Sequence, residues 1–188
     1  MQPPSSPAGG CIDLNENALV EAAVRGDRQA LSELFDQYFP RVYRYALIVT
    51  GQPADAEDVA SETFLVAVRR ISEYRPTGAP FVSWLFAIAR KTAASGRRKQ
   101  GVVAEPAQQV TDGVSVQDEV EMRIDVLRVL DELPTDQREV VALRVYGGMS
   151  AAEIGHATGK SSNAVRQLQF RAFARLAQSN LVELMEAG

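Results

Sequence analysis

Apolar residues recur every three or four positions through most of the chain and nowhere alternate strictly with polar residues. This spacing places apolar side chains on one side of an α-helix. In the N-terminal half it predicts a helix over 18–25, a second with an apolar stripe from Leu31, a third from Pro53 and a fourth from Phe81. Pro40 lies inside the second stripe, where its missing N–H predicts a kink or an interruption.

The C-terminal part of the chain has the outline of a helix-turn-helix. A helix over 136–145 is followed by Ser150 and Glu153, whose spacing predicts a capping box at the start of a short helix. Gly159 suits the left-handed residue that ends such a helix. A last helix is predicted from Ser161 or Ser162 to about position 186.

Residues 100–117 contain no aromatic and no basic side chain and break the helical spacing, which predicts a linker. Helical spacing resumes after it. The predicted fold class is all-α, with two small helical domains joined by a flexible linker and a helix-turn-helix in the second. The predicted boundaries are a disordered tail at 1–14, a domain at 15–99, the linker at 100–117 and a domain at 118–188.

Charge is unevenly distributed along the chain. The 188 residues carry 20 Lys and Arg against 24 Asp and Glu, a net charge of −4, which argues against a protein that coats DNA generally. Basic residues nevertheless gather at 90–99 and at 154–182, without acidic neighbours, while acids gather at 55–62 and 118–139. This distribution indicates local contacts with a polyanion and a separate protein partner. The alternative is that these charged residues only form solvated helix faces and bind no partner.

Several classes of protein are excluded by composition. One His and one Cys do not make a usual zinc site or an internal disulfide, and we read His156 as structural. No nucleophile elbow, phosphate-binding glycine loop or paired catalytic carboxylates are present, so we expect no enzyme, no metal and no cofactor. The longest apolar run, 64–68, is far too short to span a bilayer, and no secretory signal is recognisable. We therefore expect a cytoplasmic protein without membrane insertion.

The last helix has two chemically different faces. Val165, Leu168, Ala172 and Leu176 share one side. The opposite side carries side chains of the types that read base edges, since Arg pairs with guanine and Asn or Gln with adenine. These outer residues are Asn163, Arg166, Gln167, Phe170 and Arg171. A helical hairpin can share this spacing by chance, and Phe170 could instead contact another domain.

Two further surfaces are candidates. Asp55, Asp58 and Glu62 line one side of the third helix, either because acids suit a helix N-terminus or because they dock on a basic partner. On the fourth helix the candidates for nucleic acid are Arg90, Lys91, Arg97 and Arg98. Trp84 shares the apolar stripe of that helix and is read as core rather than as a base-stacking platform. Gly96 is expected to loosen the helix where the charge peaks.

Several segments resemble bacterial sigma-70-type factors of the extracytoplasmic-function (ECF) group. Residues 55–67 resemble the polymerase-binding helix of that group, and 81–90 its promoter-melting segment. Residues 133–144, followed by 149–155 and 164–166, are similar to its second domain. The resemblance covers about residues 16–178 in the family's order.

The resemblance implies roles for the N-terminal candidates. Asp55, Glu57, Asp58 and Glu62 would dock on the coiled-coil clamp of the largest polymerase subunit. Arg90, Lys91, Arg97 and Arg98 would hold the −10 element as single strand, and residues 100–117 would thread through the polymerase. Lys91 and Ser95 stand where many members have Asn and Asp, so the base sequence that the family usually prefers at the −10 element is in question for this chain.

The resemblance also implies that the last helix enters the major groove of the −35 element. The implied contacts are Lys160, Ser162, Asn163, Arg166, Gln167, Phe170 and Arg171. The implied partners are core RNA polymerase, through clamp and flap-type surfaces, and promoter DNA. Many members of the group also bind an anti-sigma factor, and the sequence leaves that partner open for this chain. Two alternatives remain open from the sequence: a dimeric operator-binding regulator that uses residues 134–178, and a helical adaptor in which the hairpin is only structural.

Overall fold

The structure is a computed structural model that describes the backbone of residues 14–75, 80–100, 130 and 132–186. Positions 1–13 of the predicted tail, positions 101–117 of the predicted linker and positions 118–129 of the second predicted domain lie outside the described residues. Within the described ranges every regular element is helical, which confirms the all-α prediction. The α-helices there are α1 (Leu14–Val24), α2 (Arg28–Thr50), α3 (Pro53–Arg70), α4 (Phe81–Gln100), α5 (Thr135–Val145), α6 (Ala151–Thr158) and α7 (Ser162–Glu186), with a 3₁₀ turn at Ile71–Glu73.

The helices of the N-terminal half begin and end at the residues that local chemistry favours. Asp27 caps α2 by accepting hydrogen bonds from the backbone N–H groups of Gln29 (2.9 Å) and Ala30 (3.2 Å). Gly51 ends α2 with a φ of 74°, a left-handed conformation that favours glycine. Pro53 then occupies the first turn of α3, where its missing N–H costs nothing.

The predicted interruption at Pro40 is wrong, because α2 continues through it as one helix. Pro40 is exposed, and so is Asp36, the residue whose carbonyl loses its intrahelical N–H partner. Water can satisfy that carbonyl at the surface, so the helix tolerates the proline.

Helices α1 to α4 form what we name the N-terminal unit, and α5 to α7 form the C-terminal unit. Large side chains such as Tyr38, Tyr45 and Phe86 are fully buried in the first, and Leu143 and Ile154 are fully buried in the second. The cluster of buried apolar residues is continuous from Val20 in α1 to Ala172 in α7. The two units are therefore packed against each other.

Tyr38 of α2 connects several parts of the fold. Its hydroxyl donates a hydrogen bond of 2.6 Å to Glu16 Oε1 of α1, and the Arg41 guanidinium lies 5.2 Å from the centroid of its ring. Burial, reinforced by the Glu16 carboxylate, raises the pKa of Tyr38 well above its ordinary value, so the phenol remains a hydrogen-bond donor. No helix among the described residues is long and apolar enough to cross a bilayer.

Candidate nucleic-acid interface

The helix-turn-helix begins with a complete capping box. The Ser150 backbone N–H donates to Glu153 Oε2 at 2.7 Å, and the Glu153 N–H donates to Ser150 Oγ at 3.3 Å. Gly159 ends α6 with a φ of 71°. The sequence predicted both features, because each depends only on residues within one turn.

Gly155 allows the turn of the hairpin to close tightly on α6. The Lys160 N–H donates to the Gly155 carbonyl at 2.9 Å, and a Cβ placed on Gly155 would lie 2.6 Å from the Lys160 carbonyl oxygen. Any larger residue would force the backbone of the turn away. Sequence analysis quoted Gly155 within a motif without giving it a role; a glycine inside an eight-residue helix is the signal for such a close approach.

Helix α7 presents the outer face that its apolar spacing predicts. Ser161 is its cap, since Ser161 Oγ accepts a hydrogen bond of 3.2 Å from the Ala164 N–H. Val165 and Ala172 are fully buried, and Leu168 and Leu176 are half-buried against the same core. All five outer candidates are exposed: Asn163, Arg166, Gln167, Phe170 and Arg171.

Two aromatic rings add to this outer face. Phe170 is 75% exposed, which does not fit a contact with another domain within the described residues. Phe173, three positions later, is 51% exposed, and sequence analysis missed it. Helical spacing puts both on the side of Arg166.

The side chains at the start of the candidate interface are less accessible than those on the outer face of α7. Lys160 Nζ lies 3.1 Å from Asp136 Oδ2 of α5, so its charge is already paired with a carboxylate. Ser162 is half-buried at the start of α7. These two positions therefore differ from the exposed outer face.

The two basic candidates of α4 whose side chains the structure describes do not share one surface. Arg90 is half-buried, and its Nε lies 3.0 Å from Glu139 Oε1 of α5, whereas Lys91 is exposed. Consecutive residues on a helix point about 100° apart, so these two side chains serve different sides of α4. The backbone of positions 97 and 98 lies in the last turn of α4, while their side chains lie outside the described residues. The expected loosening at Gly96 does not end the helix, which continues to Gln100.

The acidic candidates of α3 also differ from one another in exposure. Glu57, Asp58 and Glu62 are exposed, and Asp55 is half-buried in the first turn. Sequence analysis missed Leu65 and Val68, which are about half exposed further along the same helix (52% and 51%). The exposed side of α3 is therefore acidic at its start, carries these two apolar side chains further along and ends with the exposed, basic Arg69 and Arg70.

An open groove between α3 and α4 separates these two sets of charges. Asp58 and Glu62 line one wall, and Lys91 lines the other beside Trp84. Trp84 is half-buried, with its ring centroid 5.4 Å from Tyr74 and 5.5 Å from Phe81, as expected of a residue on the edge of the core. Among the described side chains, no group of three or more His, Cys, Asp or Glu could hold a metal ion.

Glu153 is held as a carboxylate although its surroundings are partly dry. Burial alone would raise its pKa, and this is the largest single influence. Hydrogen bonds with Ser83 and Ser150, together with the positive charge of Arg144, outweigh burial and hold the pKa of Glu153 below its usual value. The charged form is therefore the one that the fold requires.

Comparisons with known proteins agree with this arrangement. A family model described as Sigma-70 region 2 matches residues 34–102, which include the acidic face of α3 and all of α4. A second, described as Sigma-70, region 4, matches residues 123–176, which include the helix-turn-helix.

Similar proteins include sigma factors of Mycobacterium and Streptomyces. The ECF RNA polymerase sigma factor SigD of Mycobacterium tuberculosis is 35% identical over 172 residues, covering 85% of this chain and 81% of SigD. The ECF RNA polymerase sigma factor BldN of Streptomyces coelicolor is 38% identical over 172 residues, covering 85% of this chain. The chain spans 64% of the length of BldN.

Similar solved structures have the same fold. CnrH, solved in complex with the cytosolic domain of CnrY, has a TM-score of 0.67 and 25% identity, covering 90% of this chain and 97% of CnrH. The sigma factor RpoE of Bartonella quintana, solved with the anti-sigma factor NepR, has a TM-score of 0.64 and 22% identity, covering 78% and 94%. With its region 2 and region 4 matches in order along one helical chain, the protein belongs to the ECF group of sigma-70-family RNA polymerase sigma factors.

Proposed function

We propose that this protein binds core RNA polymerase and directs it to start transcription at particular promoters. In this proposal residues 15–99 dock on the polymerase and hold the −10 element as single strand. Residues 118–188 read the −35 element through the major groove, and residues 100–117 connect the two. The protein makes and breaks no covalent bond in this role, and it acts where polymerase and promoter DNA are found, in the cytoplasm.

The outer face of α7 is the observation that carries the proposal. Arg166, Asn163 and Gln167 are exposed on a helix that follows a tight, well-capped turn, as a major-groove reader requires. Their amide and guanidinium groups match the donor and acceptor pattern of base edges in that groove. Arg171 adds a positive charge that suits the phosphate backbone.

The exposed side of α3 supports polymerase docking. Asp58 and Glu62 offer negative charge, while Leu65 and Val68 offer apolar area beside it. A charged and apolar face of this kind can bind a basic amphipathic surface with both specificity and affinity. Helix polarity also favours acids in the first turn of α3, and the two explanations are compatible.

Affinity for the promoter must come largely from the complex of this protein with polymerase. Unstacking a base costs a few kcal/mol, and stacking on an aromatic side chain returns roughly 1–3 kcal/mol per base. With a net charge of −4, the chain gains little from general attraction to phosphates. Attachment of both readers to polymerase raises their effective concentration at the promoter. CnrH was solved with a bound protein domain, which supports a protein regulator as a further partner of this chain.

Transcription in vitro tests the proposal directly. Core polymerase with this protein should give discrete start sites on a library of genomic templates, whereas either component alone should not. An operator-binding regulator would instead bind duplex DNA tightly without polymerase. If transcripts start at the same positions with and without the protein, the proposal is wrong.

A charge-reversal variant separates the two roles. Asp58→Lys with Glu62→Lys should abolish association with core polymerase while leaving duplex binding by α7 intact. The matched control is Glu33→Lys with Asp36→Lys, which reverses two exposed acids of α2 and should associate as the wild type does. Equal association of the two variants would contradict the docking role of α3.

A further inference from the structure

The outer side of α7 carries a second apolar stripe, distinct from the one that packs on the hairpin. Phe170 is the most exposed of the large apolar side chains that the structure describes, at 75%, and Phe173 is 51% exposed. Ala177, one turn further on, is exposed as well. Positions 181 and 184 are leucines in the sequence, and the helical backbone of α7 continues through both. Spacings of three, four, four and three residues place all five positions on one side of the helix.

Contact with duplex DNA accounts for only the start of this stripe. A recognition helix reads base edges with the residues near its N-terminus. Phe173 lies roughly 16 Å along the helix axis from Ser162, the first residue of α7, and Ala177 lies a turn beyond it. An apolar side that continues away from the reading end of a helix is typical of a surface that binds another protein surface.

The stripe is symmetric about Ala177. Phe173 and Leu181 lie four residues on either side of it, and Phe170 and Leu184 lie seven. When two copies of α7 pack antiparallel about a two-fold axis at Ala177, each phenylalanine position is therefore level with a leucine position of the other copy. The two Ala177 residues then meet at the centre, where short side chains let the helix axes approach to about 8 Å.

The charges along α7 favour the antiparallel orientation. Its basic residues lie within 162–175, without an acid, and they are Arg166, Arg171 and Arg175. Its acidic residues, Glu183 and Glu186, lie in the last turns, without a base. Two antiparallel copies bring the basic part of each helix level with the acidic end of the other, whereas a parallel pair would place like charges side by side.

We infer that two copies of this protein associate through α7, packed antiparallel about Ala177, and that the dimer does not bind −35 duplex. In this register position 186 of one copy is level with position 168 of the other, so each helix covers Phe170 of its partner and closes that part of the reading face. One helix from each copy gives less than the roughly 1,200 Å² buried at the lower end of stable interfaces, so the dimer is weak and forms at micromolar concentrations. Self-association is independent of the proposed function, and its effect on −35 binding rests on that function.

Analytical ultracentrifugation of the full chain measures self-association without polymerase or DNA. With Cys11→Ser, which excludes a disulfide through the predicted tail, the apparent mass should rise from one chain towards two as the concentration increases through the micromolar range. Ala177→Glu places two carboxylates against each other at the centre of the pair and should raise the dissociation constant at least about tenfold. The matched control is Ala54→Glu, the same change at an exposed position of α3, which should associate as the wild type does.

Two results of this measurement overturn the inference. One is the mass of a single chain at every concentration, which would mean that another part of the chain or a different protein covers the stripe. The other is an equal dissociation constant for Ala177→Glu and Ala54→Glu, which would place the contact between copies elsewhere on the surface.

Disulfide formation tests the register of the pair. In the Cys11→Ser background, Ala177→Cys should link two copies under mild oxidant, because the two thiols meet at the two-fold axis. Gln178→Cys, exposed but about 100° further around the helix, is the control and should link at least about tenfold more slowly. In a mixture, Phe170→Cys should link to Leu184→Cys rather than to itself. Self-linkage of Phe170→Cys alone would show a parallel pair and overturn the proposed packing.

The linked dimer tests the consequence for DNA. Disulfide-linked Ala177→Cys should bind a −35 duplex, taken from a start site of the transcription assay, at least about tenfold more weakly than the same protein after reduction. Equal affinity before and after reduction overturns the inhibitory part of the inference. If the transcription assay gives no start site, the proposed function fails and the inhibitory part fails with it. Ultracentrifugation and disulfide formation still decide whether the copies pair, because neither needs polymerase or DNA.

Discussion

The outer face of α7 and the middle of α4 both carry an arginine, but the two differ in how far the guanidinium is available to a ligand. Arg166 of α7 is exposed, whereas Arg90 of α4 is half-buried in an ion pair with Glu139. An arginine is therefore not by itself a free binding group. In this molecule the side chains that are candidates for reading duplex DNA are exposed, while Arg90, a candidate for single-stranded DNA, is paired with Glu139.

The largest effect is expected where the presentation of α7 depends on a single small residue. Gly155→Val should destabilise the C-terminal unit by about 3 kcal/mol, because the new side chain meets the Lys160 carbonyl and overpacks the turn. The urea midpoint of unfolding measures the loss. Ala152→Val, at an exposed position of the same helix, is the control and should cost well under about 1 kcal/mol. Similar midpoints for the two variants would show that the turn is not constrained at Gly155.

The comparison of Arg166 with Arg90 can be made directly on duplex DNA. Arg166→Ala should weaken binding of −35 duplex by about 1–3 kcal/mol if the guanidinium contacts a base. Arg90→Ala should leave that binding unchanged, because Arg90 pairs with Glu139 and lies on another helix. Fluorescence anisotropy with the free protein at low salt measures both. Equal losses would mean that the two arginines belong to one surface.

Acid should weaken the structure around Glu153. The folded state lowers the pKa of this carboxyl below its ordinary value of 4.5, so the folded protein binds fewer protons than the unfolded one. Its contribution is present above that pH and is lost as the pH falls through the folded pKa. Urea midpoints measured from pH 7 to pH 3 should fall less steeply for Glu153→Gln than for the wild type, with Ser83→Ala between them. Parallel curves for all three proteins would contradict this explanation.

The smallest effect is expected at the edge of the helix-turn-helix. Asp136→Asn removes the carboxylate that pairs with Lys160, leaving this charge available to a phosphate. Affinity for duplex DNA should rise by about two- to fivefold at low salt, the size of an exposed ion pair. Asp36→Asn, on α2, removes an equal charge at a distance from the hairpin and controls for net charge. An equal gain in both variants would assign the effect to net charge alone.

Features that depend on neighbouring residues were predictable from the sequence. The capping box of Ser150 and Glu153 and the helix ends at Gly51 and Gly159 are set within a few positions of chain. The division of α7 into buried and exposed sides followed from helical periodicity, since the buried side needs only a stripe of Val, Leu and Ala to pack. Such features are set by local interactions and depend little on the rest of the fold.

Features that depend on distant parts of the chain were not predictable. Pro40 suggested a kink or an interruption and Gly96 a loosened helix, yet α2 and α4 both continue past these residues, because tertiary packing supports a helix whose local preference is weak. The pairing of Arg90 with Glu139 joins positions 49 apart in sequence, and no periodicity points to it. The sequence thus identified the candidate side chains, but not which of them are exposed and which are paired within the fold.

The position of Tyr38 makes α1 important well beyond its own length. Glu16→Ala would leave the buried Tyr38 hydroxyl without its acceptor, at a cost of about 1–3 kcal/mol. The same ring supports Arg41, whose side chain reaches the Tyr146 carbonyl in the opposite half of the molecule. A change at Glu16 would therefore be felt at the far end of α5, more than a hundred residues downstream.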